Sequence, residues 1–422
     1  MTTAPRPAID PPGTPARRAA LRLLDAVLRR GEALEAALPG AARGLSPPDR
    51  GLAHAIAAEA LRRLPDLDAL IDSATRLRLA DDAKARMVLR IALVQALRLG
   101  TPPHAAISTV LPLVEGGPRK LVHGVFGTLM RGEAELPMTA SLPKAVAARW
   151  EAAWGIAAVD AAGEAIGAPP PLDLTLADPG ETDAWAERLG GISLAPGHVR
   201  LNDPPPVGEI AGYAEGAWWV QDIAATIPGR LLGPGAGTVL DLCAAPGGKT
   251  LQLAAAGWRV VAVDQSGPRL ERLSQNLART GQTAEIVRAE ITGWQPADAA
   301  DAVLVDAPCS ATGIFRRHPD VLHRAHPALI AEMAELQARI LGRAGDWVKP
   351  GGRLVYATCS LEPEEGEAQL AAFLAARPDY ALAPVAEVLP GVAGPVVRTV
   401  PGTLAEAGGC DGFFVAALDR VG

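Results

Sequence analysis

The 422 residues predict a multidomain protein, an all-α domain followed by an α/β domain with a doubly wound, mostly parallel sheet. Three observations lead there. Apolar residues repeat at helical spacing through roughly the first 135 residues. From about residue 236, short apolar runs alternate with helical stretches. Three of the four cysteines, Cys243, Cys309 and Cys359, sit where such runs end, at the edge where open α/β sheets gather their ligands. Two thiols beside a glycine-rich loop at that edge suggest thiol chemistry next to a nucleotide-like cofactor.

In chain order, a proline-rich head (1–14) reads as a flexible tail. Thr14-Pro15 then predicts an N-cap with proline at the first helical position, followed by Ala19, Leu23, Leu24, Val27 and Leu28 at helical spacing. Ser46-Pro47 repeats the signal ahead of Leu52, Ile56 and Leu61, and Val88, Ile91, Val94 and Leu97 continue it. Residues 15–135 are expected to form five to seven helices. A linker subdomain, with RNA contact implied for it only by the family resemblance, spans 136–225, where Leu172–Leu176 alternates like a half-buried strand and Pro204-Pro205-Pro206 breaks the chain. Residues 226–422 form the α/β domain. Its strand candidates are Thr238–Cys243, Arg259–Asp264, Ala284–Arg288, Ala302–Asp306 and Leu354–Thr358, with helices over Lys249–Ala256, Pro268–Arg279 and Pro327–Val348. Gly412–Leu418 is a late strand, expected at the antiparallel edge.

Bulk composition narrows the class. Apolar content of 49% and charged content of 21% are ordinary for a soluble protein. No apolar run approaches the ~20 residues of a membrane span, and the head has no apolar signal core. Cysteines without Cys-x-x-Cys spacing predict neither a disulfide framework nor a zinc site, and the expected setting is the cytoplasm. His318, His323 and His326 have no cysteine or carboxylate to complete a metal set, so no metal is predicted. The net charge of −7 is uneven: residues 1–140 carry 19 Lys+Arg against 14 Asp+Glu, or +5, and the remainder −12. That split is compatible with RNA contact through local patches.

Three readings compete for Cys243-Ala244-Ala245-Pro246-Gly247-Gly248-Lys249-Thr250. A dinucleotide fingerprint fails, since only Gly247-Gly248 is available. A phosphate-binding P-loop matches at Gly248-Lys249-Thr250 but has Cys243 where its first glycine belongs. The third is an S-adenosylmethionine loop, in which a strand ends, the backbone turns tightly, and a helix starts under the cofactor's amino-acid end. Asp264, closing the second strand, then sits where an acid can accept ribose hydroxyls; its plainer reading is a cap for the helix that follows.

Asp241–Thr250, Asp306-Ala307-Pro308-Cys309-Ser310-Ala311-Thr312-Gly313, Arg316-Arg317-His318-Pro319-Asp320 and Ala357-Thr358-Cys359-Ser360 together resemble the RNA cytosine-5 methyltransferase family. The helical part resembles the antitermination factor NusB, through Asp49-Arg50, Glu59-Ala60-Leu61-Arg62 and Pro103–Ile107. The pairing is similar to the ribosomal RNA small-subunit methyltransferase B branch, as is Trp218-Trp219-Val220-Gln221-Asp222. The resemblance implies a class I (Rossmann-like) methyltransferase domain, S-adenosylmethionine as cofactor, 16S rRNA as partner, and a monomer. It implies cofactor contacts at Cys243, Ala244, Ala245, Pro246, Gly247, Gly248, Lys249, Asp264 and Asp306. The family's adenine-contacting Asp is replaced here by Glu290, one methylene longer. Cys359 becomes the nucleophile, Asp306 the group on the base edge, Cys309 the residue that resolves the adduct, and Arg316 and Arg317 phosphate contacts. Cys410 matches no role and is expected to be structural. Rival readings are a tRNA cytosine-5 methyltransferase, a non-catalytic RNA-binding assembly or antitermination factor with a vestigial transferase domain, and a P-loop ATPase.

Overall fold

The computed structural model describes residues 11–384 and 387–421, so most of the expected tail lies outside the described residues. Two compact units are present. One comprises residues through 152 together with 159–168 and 315–324, and the other comprises 153–158, 169–314 and 325 onward.

The first unit is helical: α1 (Thr14–Arg30), α2 (Leu34–Ala41), α3 (Pro47–Arg62), α4 (Leu64–Ser73), α5 (Lys84–Leu97), α6 (Pro103–Val110) and α7 (Gly116–Arg131), followed by α8 (Lys144–Trp154) and α9 (Ile156–Gly167). α5 is buried from Ala85 to Gln95, which makes it the axis around which Leu23, Leu24, Ile56, Leu67 and Ile71 pack. Its Arg86 and Arg90 are buried too, and both pair with Asp68. Ser46 caps α3 as expected, accepting the Asp49 N–H at 3.3 Å. Thr14 does not cap α1. Its hydroxyl donates to the Thr109 carbonyl, and Gly13, in the left-handed region, is the N-cap.

Residues 315–324, which follow the Cys309 loop in sequence, pack as part of this unit. Phe315 stacks on Trp150 at 5.3 Å. The Asp320 carboxylate accepts the Leu34 N–H at the start of α2, His323 Nε2 donates to the Leu61 carbonyl, and Arg324 Nε donates to Gly31. Arg316 is therefore not the exposed phosphate contact expected of it: it is 3% exposed, and its carbonyl accepts from Arg62 Nη1. Arg317 is half-buried.

In the second unit, β1 (Leu172–Leu176), β2 (His198–Leu201) and β3 (Trp218–Val220) form a small antiparallel sheet in the order β2-β1-β3, with α10 (Thr182–Leu189) packed on it. β1 is buried on both faces, not one, because Asp173 on its second face is covered and bonded twice by Arg200. The large sheet contains β4 (Thr238–Leu242), β5 (Arg259–Asp264), β6 (Glu285–Arg288), β7 (Ala300–Asp306), β8 (Val348–Thr358), β9 (Tyr380–Leu382), β10 (Val396–Thr399) and β11 (Phe413–Arg420). Its order is β10-β11-β8-β7-β4-β5-β6, with β9 on β11. β4–β8 are mutually parallel and β11 is antiparallel to β8. β11 is an interior strand and not the edge, as its wholly buried run Phe413–Leu418 requires. The helices of this unit are α11 (Ile227–Leu232), α12 (Gly248–Ala255), α13 (Gly267–Thr280), α15 (Pro327–Asp346) and α16 (Glu367–Ala376); α14 (Val321–Arg324) belongs to the helical unit.

From β4 the chain winds one way through β5 and β6, then returns to β7 on the other side of β4. The carboxyl ends of β4 and β7 therefore flank the point where strand order reverses, the place where such sheets leave a crevice.

Candidate active site

The loop after β4 brings its polar ends inward. Cys243 has φ +62°, a left-handed conformation unusual for a residue with a Cβ. Gly247, at φ +108°, precedes α12, and a Cβ there would lie 2.9 Å from Leu273. Thr250 Oγ1 donates to Asp241 Oδ2 at 2.6 Å, and Lys249 Nζ pairs with Asp306 Oδ2 at 2.8 Å. A P-loop needs this lysine and threonine for phosphates and magnesium. Here both are buried and bonded to carboxylates, an arrangement that opposes phosphate binding.

Asp306 ends β7 opposite Ala357 of β8, and the two chains then turn together. Ala307 N–H donates to Ala357, and Gly313 N–H donates to the Cys359 carbonyl at 2.9 Å. No side chain fits at Gly313, where a Cβ would stand 2.0 Å from the Gly412 carbonyl. This zipper faces Cys309 Sγ toward Cys359 Sγ at 3.5 Å, both half-buried. The hydrogen bond to Cys359, with burial behind it, pushes the Cys309 thiol well up, and burial does the same to Cys243. Both thiols are disfavoured as nucleophiles at neutral pH, since the thiolate is the attacking form. Burial alone would lower Lys249, but the Asp306 carboxylate outweighs it and Cys359 adds to the effect, so the ammonium stays charged. Burial raises Asp241 to about 7. Cys410 is buried in the core, as expected of a structural residue.

Beside these loops lies a cavity of about 260 Å³ lined by Cys243, Asp264, Gln265, Glu290 and Pro308, with Ile291, Leu336 and Ile340 as apolar wall. The cavity brings Asp264 and Glu290 together. Asp264 is 2% exposed and accepts the Ala245 and Ser266 N–H groups, one on each oxygen. Glu290 is exposed, two residues beyond β6, and already accepts from the Thr292 hydroxyl and N–H.

Comparison with known proteins places the chain in a family. Residues 231–419 match the profile of the 16S rRNA methyltransferase RsmB/F family, and residues 14–126 match that of the NusB family. A ribosomal RNA small subunit methyltransferase B of Sodalis glossinidius is 35% identical over 433 residues, covering 94% of this chain and 96% of its own. The chain belongs to the ribosomal RNA small subunit methyltransferase B family. A second family member, from Klebsiella pneumoniae, is 35% identical over 95% of this chain and 97% of its own. Among solved structures, PH0851 superposes with TM-score 0.71 at 22% identity, covering 98% of this chain and all of its own. NSun6 of Pyrococcus horikoshii, solved with SFG, gives 0.56 at 18% over 67% of this chain and 99% of its own. At those identities the likeness concerns the fold.

For a methyltransferase of this family, the residues lining the cavity suit a nucleoside-bearing cofactor. A carboxylate oxygen has room for two hydrogen bonds, so Asp264 retains capacity for hydroxyl donors after meeting its backbone partners. The apolar wall suits a flat base. At the base of the loop, Asp241 Oδ1 is buried with no hydrogen-bond partner among the described residues.

Sequence reasoning passed over two residues at the site. Glu365, fully buried, and Gln337 of α15 lie against the residues flanking both thiols. Glu365 stands in the acidic run Glu362–Glu367, which reads as a solvated turn, and no local signal separates it from its neighbours.

Proposed function

We propose that this chain transfers a methyl group from S-adenosylmethionine to carbon 5 of a cytosine in 16S rRNA, through a transient bond between Cys359 Sγ and carbon 6 of the ring. The observation that carries the reading is the meeting of two thiols at 3.5 Å with the Lys249–Asp306 pair at the crevice between parallel strands. The small-subunit rRNA target follows the names of the relatives.

Cytosine carbon 5 is a weak nucleophile. Addition of the Cys359 thiolate at carbon 6 pushes the ring electrons toward carbon 5, so that one hard step becomes two easier ones. Asp306 is 32% exposed and is assigned to the N3/N4 edge of the base, where it favours protonation at N3 as the electrons move. Lys249 holds Asp306 in place and is the nearby cation. Asp264, Glu290 and the loop Cys243–Lys249 hold the cofactor, which supplies the methyl group on a positively charged sulfur. After transfer a solvent water takes the carbon 5 proton, the pair left behind re-forms the carbon 5–carbon 6 double bond, and Cys359 leaves with the electrons of its carbon–sulfur bond as the thiolate. Cys309, kept protonated, has its S–H against the departing sulfur and assists by donating to it. The target base must leave its stack to reach these groups, at a cost of roughly a few kcal/mol when it is paired. Arg317 and the basic excess of the N-terminal 140 residues are assigned to the RNA backbone.

The test is methyl incorporation into small-subunit RNA with bisulfite mapping. Cys359→Ala should abolish both product and covalent adduct, and retained turnover would refute the nucleophile. Cys309→Ala should instead accumulate a denaturant-resistant protein–RNA band.

A further inference from the structure

A carboxylate that the chemistry above does not use is built into the back of the site. Glu365 closes the short 3-10 turn Pro363–Glu365 and is 0% exposed. Its Oε1 accepts the Ser310 N–H at 2.8 Å and Gln337 Nε2 at 3.2 Å; its Oε2 accepts the Ser310 hydroxyl at 2.5 Å and the Ser360 hydroxyl. Ser310 and Ser360 directly follow Cys309 and Cys359, so one side chain grips both thiol loops at the residue next to each sulfur. Gln337 extends the grip: its Nε2 also donates to the Pro308 carbonyl at 2.9 Å, and its Oε1 accepts from the Tyr356 hydroxyl at 3.2 Å. That hydroxyl lies 2.7 Å from the Glu365 carbonyl as well, which brings β8 into the same net.

The choice of residue matters. Placing a carboxylate away from water is costly unless every lone pair is met, and a core that needed only filling would use an apolar side chain. An ionised carboxylate offers about four acceptor sites, and four donors are supplied here. A glutamine could accept at one oxygen only, and its NH₂ would face donors. Burial pushes the Glu365 carboxyl above its usual value, and the hydrogen bonds from Ser310, Ser360 and Gln337 offset only part of that rise. Its charge is also among the influences that raise the neighbouring Cys309 thiol.

We propose that Glu365 is a positioning residue that sets the separation of Cys309 and Cys359 by clamping Ser310 and Ser360. Its catalytic consequence rests on the covalent reading above; its geometric consequence does not. Held together, the thiols let Cys309 meet the sulfur of Cys359 as it leaves. With the clamp released, the loops at 307–313 and 358–365 keep the backbone zipper and the Thr312 contacts to Ser360 and Leu361 but lose the grip next to each sulfur, and the sulfurs gain room to separate.

The experiment reads the separation directly, without RNA. Diamide takes one proton and one electron from each of two thiols; a sulfur–sulfur bond forms, and its N=N bond becomes the hydrazine. In the wild-type chain a Cys309–Cys359 disulfide should form quickly, seen by mass spectrometry of the linked peptides. Glu365→Gln should slow it at least tenfold, and Ser360→Ala, which keeps the carboxylate, should slow it to a lesser degree. S-adenosylhomocysteine affinity should change less than twofold in both. In methyl transfer, Glu365→Gln should lower kcat with KM for RNA unchanged. Disulfide formation at the wild-type rate in Glu365→Gln would overturn the clamp. So would loss of cofactor binding and cooperative unfolding in that variant alongside an unaffected Ser360→Ala, since Glu365 would then be ordinary core. Slowed disulfide formation in a protein whose wild type methylates no RNA would leave the clamp standing and remove the proposed reaction instead.

Discussion

Two acid–base pairs in the second unit use the same chemistry to opposite ends. In the small sheet, Arg200 grips Asp173 with two bonds of 2.6 and 2.7 Å, and both side chains are 0% exposed. The remaining capacity is spent as well: Asp173 Oδ2 accepts the Ile223 N–H, and Arg200 Nη1 donates to Ala407. At the crevice of the large sheet, Lys249 meets Asp306 through one bond of 2.8 Å, with the lysine 10% and the aspartate 32% exposed. The first pair is closed on every side and acts as a rivet between β1, β2 and two loops. The second has an open flank beside two thiols, where a substrate edge can enter. What separates a structural ion pair from the one proposed to do chemistry here is how much of its hydrogen-bonding capacity is left facing a hollow.

The sharpest way to break that distinction is to neutralise each acid. Asp306→Asn should lower kcat by about 10²–10⁴-fold, the range for removing a group that manages a proton, with a stability loss smaller than that of Asp173→Asn because the flank of this pair is open. Asp173→Asn should do the reverse, destabilising by about 3–5 kcal/mol because Arg200 is left buried and uncompensated, with kcat per folded molecule retained. Equal stability losses in the two variants would erase the contrast.

Acid titration separates the pairs further. Burial alone would raise Asp173, but the Arg200 hydrogen bonds overturn that and His198 adds to them, so the carboxyl is held far below its usual range. Its stabilisation is therefore complete above the unfolded value of about 4 and is lost progressively as pH falls from there toward the depressed native value. Denaturation followed from pH 7 to pH 3 should show wild type and Asp173→Asn converging as pH drops. Lys249, raised above its ordinary value, stays charged across the working range, so no alkaline loss of activity below about pH 10 is expected from it.

How much of this was readable in sequence follows the range of the forces involved. Strand ends, the glycine loop and the thiol pairs are local patterns, and β4, β5, β7 and β8 place Cys243, Asp264, Asp306 and Cys359 at one edge as their spacing implies. Glu365 was not readable, because its burial is imposed by Ser360 together with Gln337 and Ser310, which lie 28 and 55 residues away in the chain. Arg316 looked like a surface charge for the same reason: residues 315–324 pack within the helical unit, and no pattern of neighbours in the chain announces it. Thr14 carried the right cap signal, yet Thr109, 95 residues away, takes its hydroxyl.

The cavity proposed for the cofactor offers a smaller contrast of the same kind, between Asp264 and Glu290. Asp264 is buried at the end of β5, fixed by two backbone N–H groups and paired on Oδ2 with Arg269 at 3.6 Å, with capacity left on Oδ1. Hydrogen bonds to a charged acceptor are worth about 1.5–3 kcal/mol, so Asp264→Ala should weaken S-adenosylhomocysteine binding by roughly 10–100-fold. Glu290 is exposed and its carboxylate is already engaged by Thr292 on both oxygens. Solvent competes for it, and any hydrogen bond it gives a ligand exchanges for one it already has. Glu290→Ala should therefore cost about fivefold or less, and Glu290→Asp, which shortens the reach by one methylene, should change affinity in the same small range. Titration calorimetry on the three variants orders them. An effect at Glu290 as large as that at Asp264 would mean that the Thr292 contacts give way to a bound ligand, and that exposure is no guide to which acid holds it.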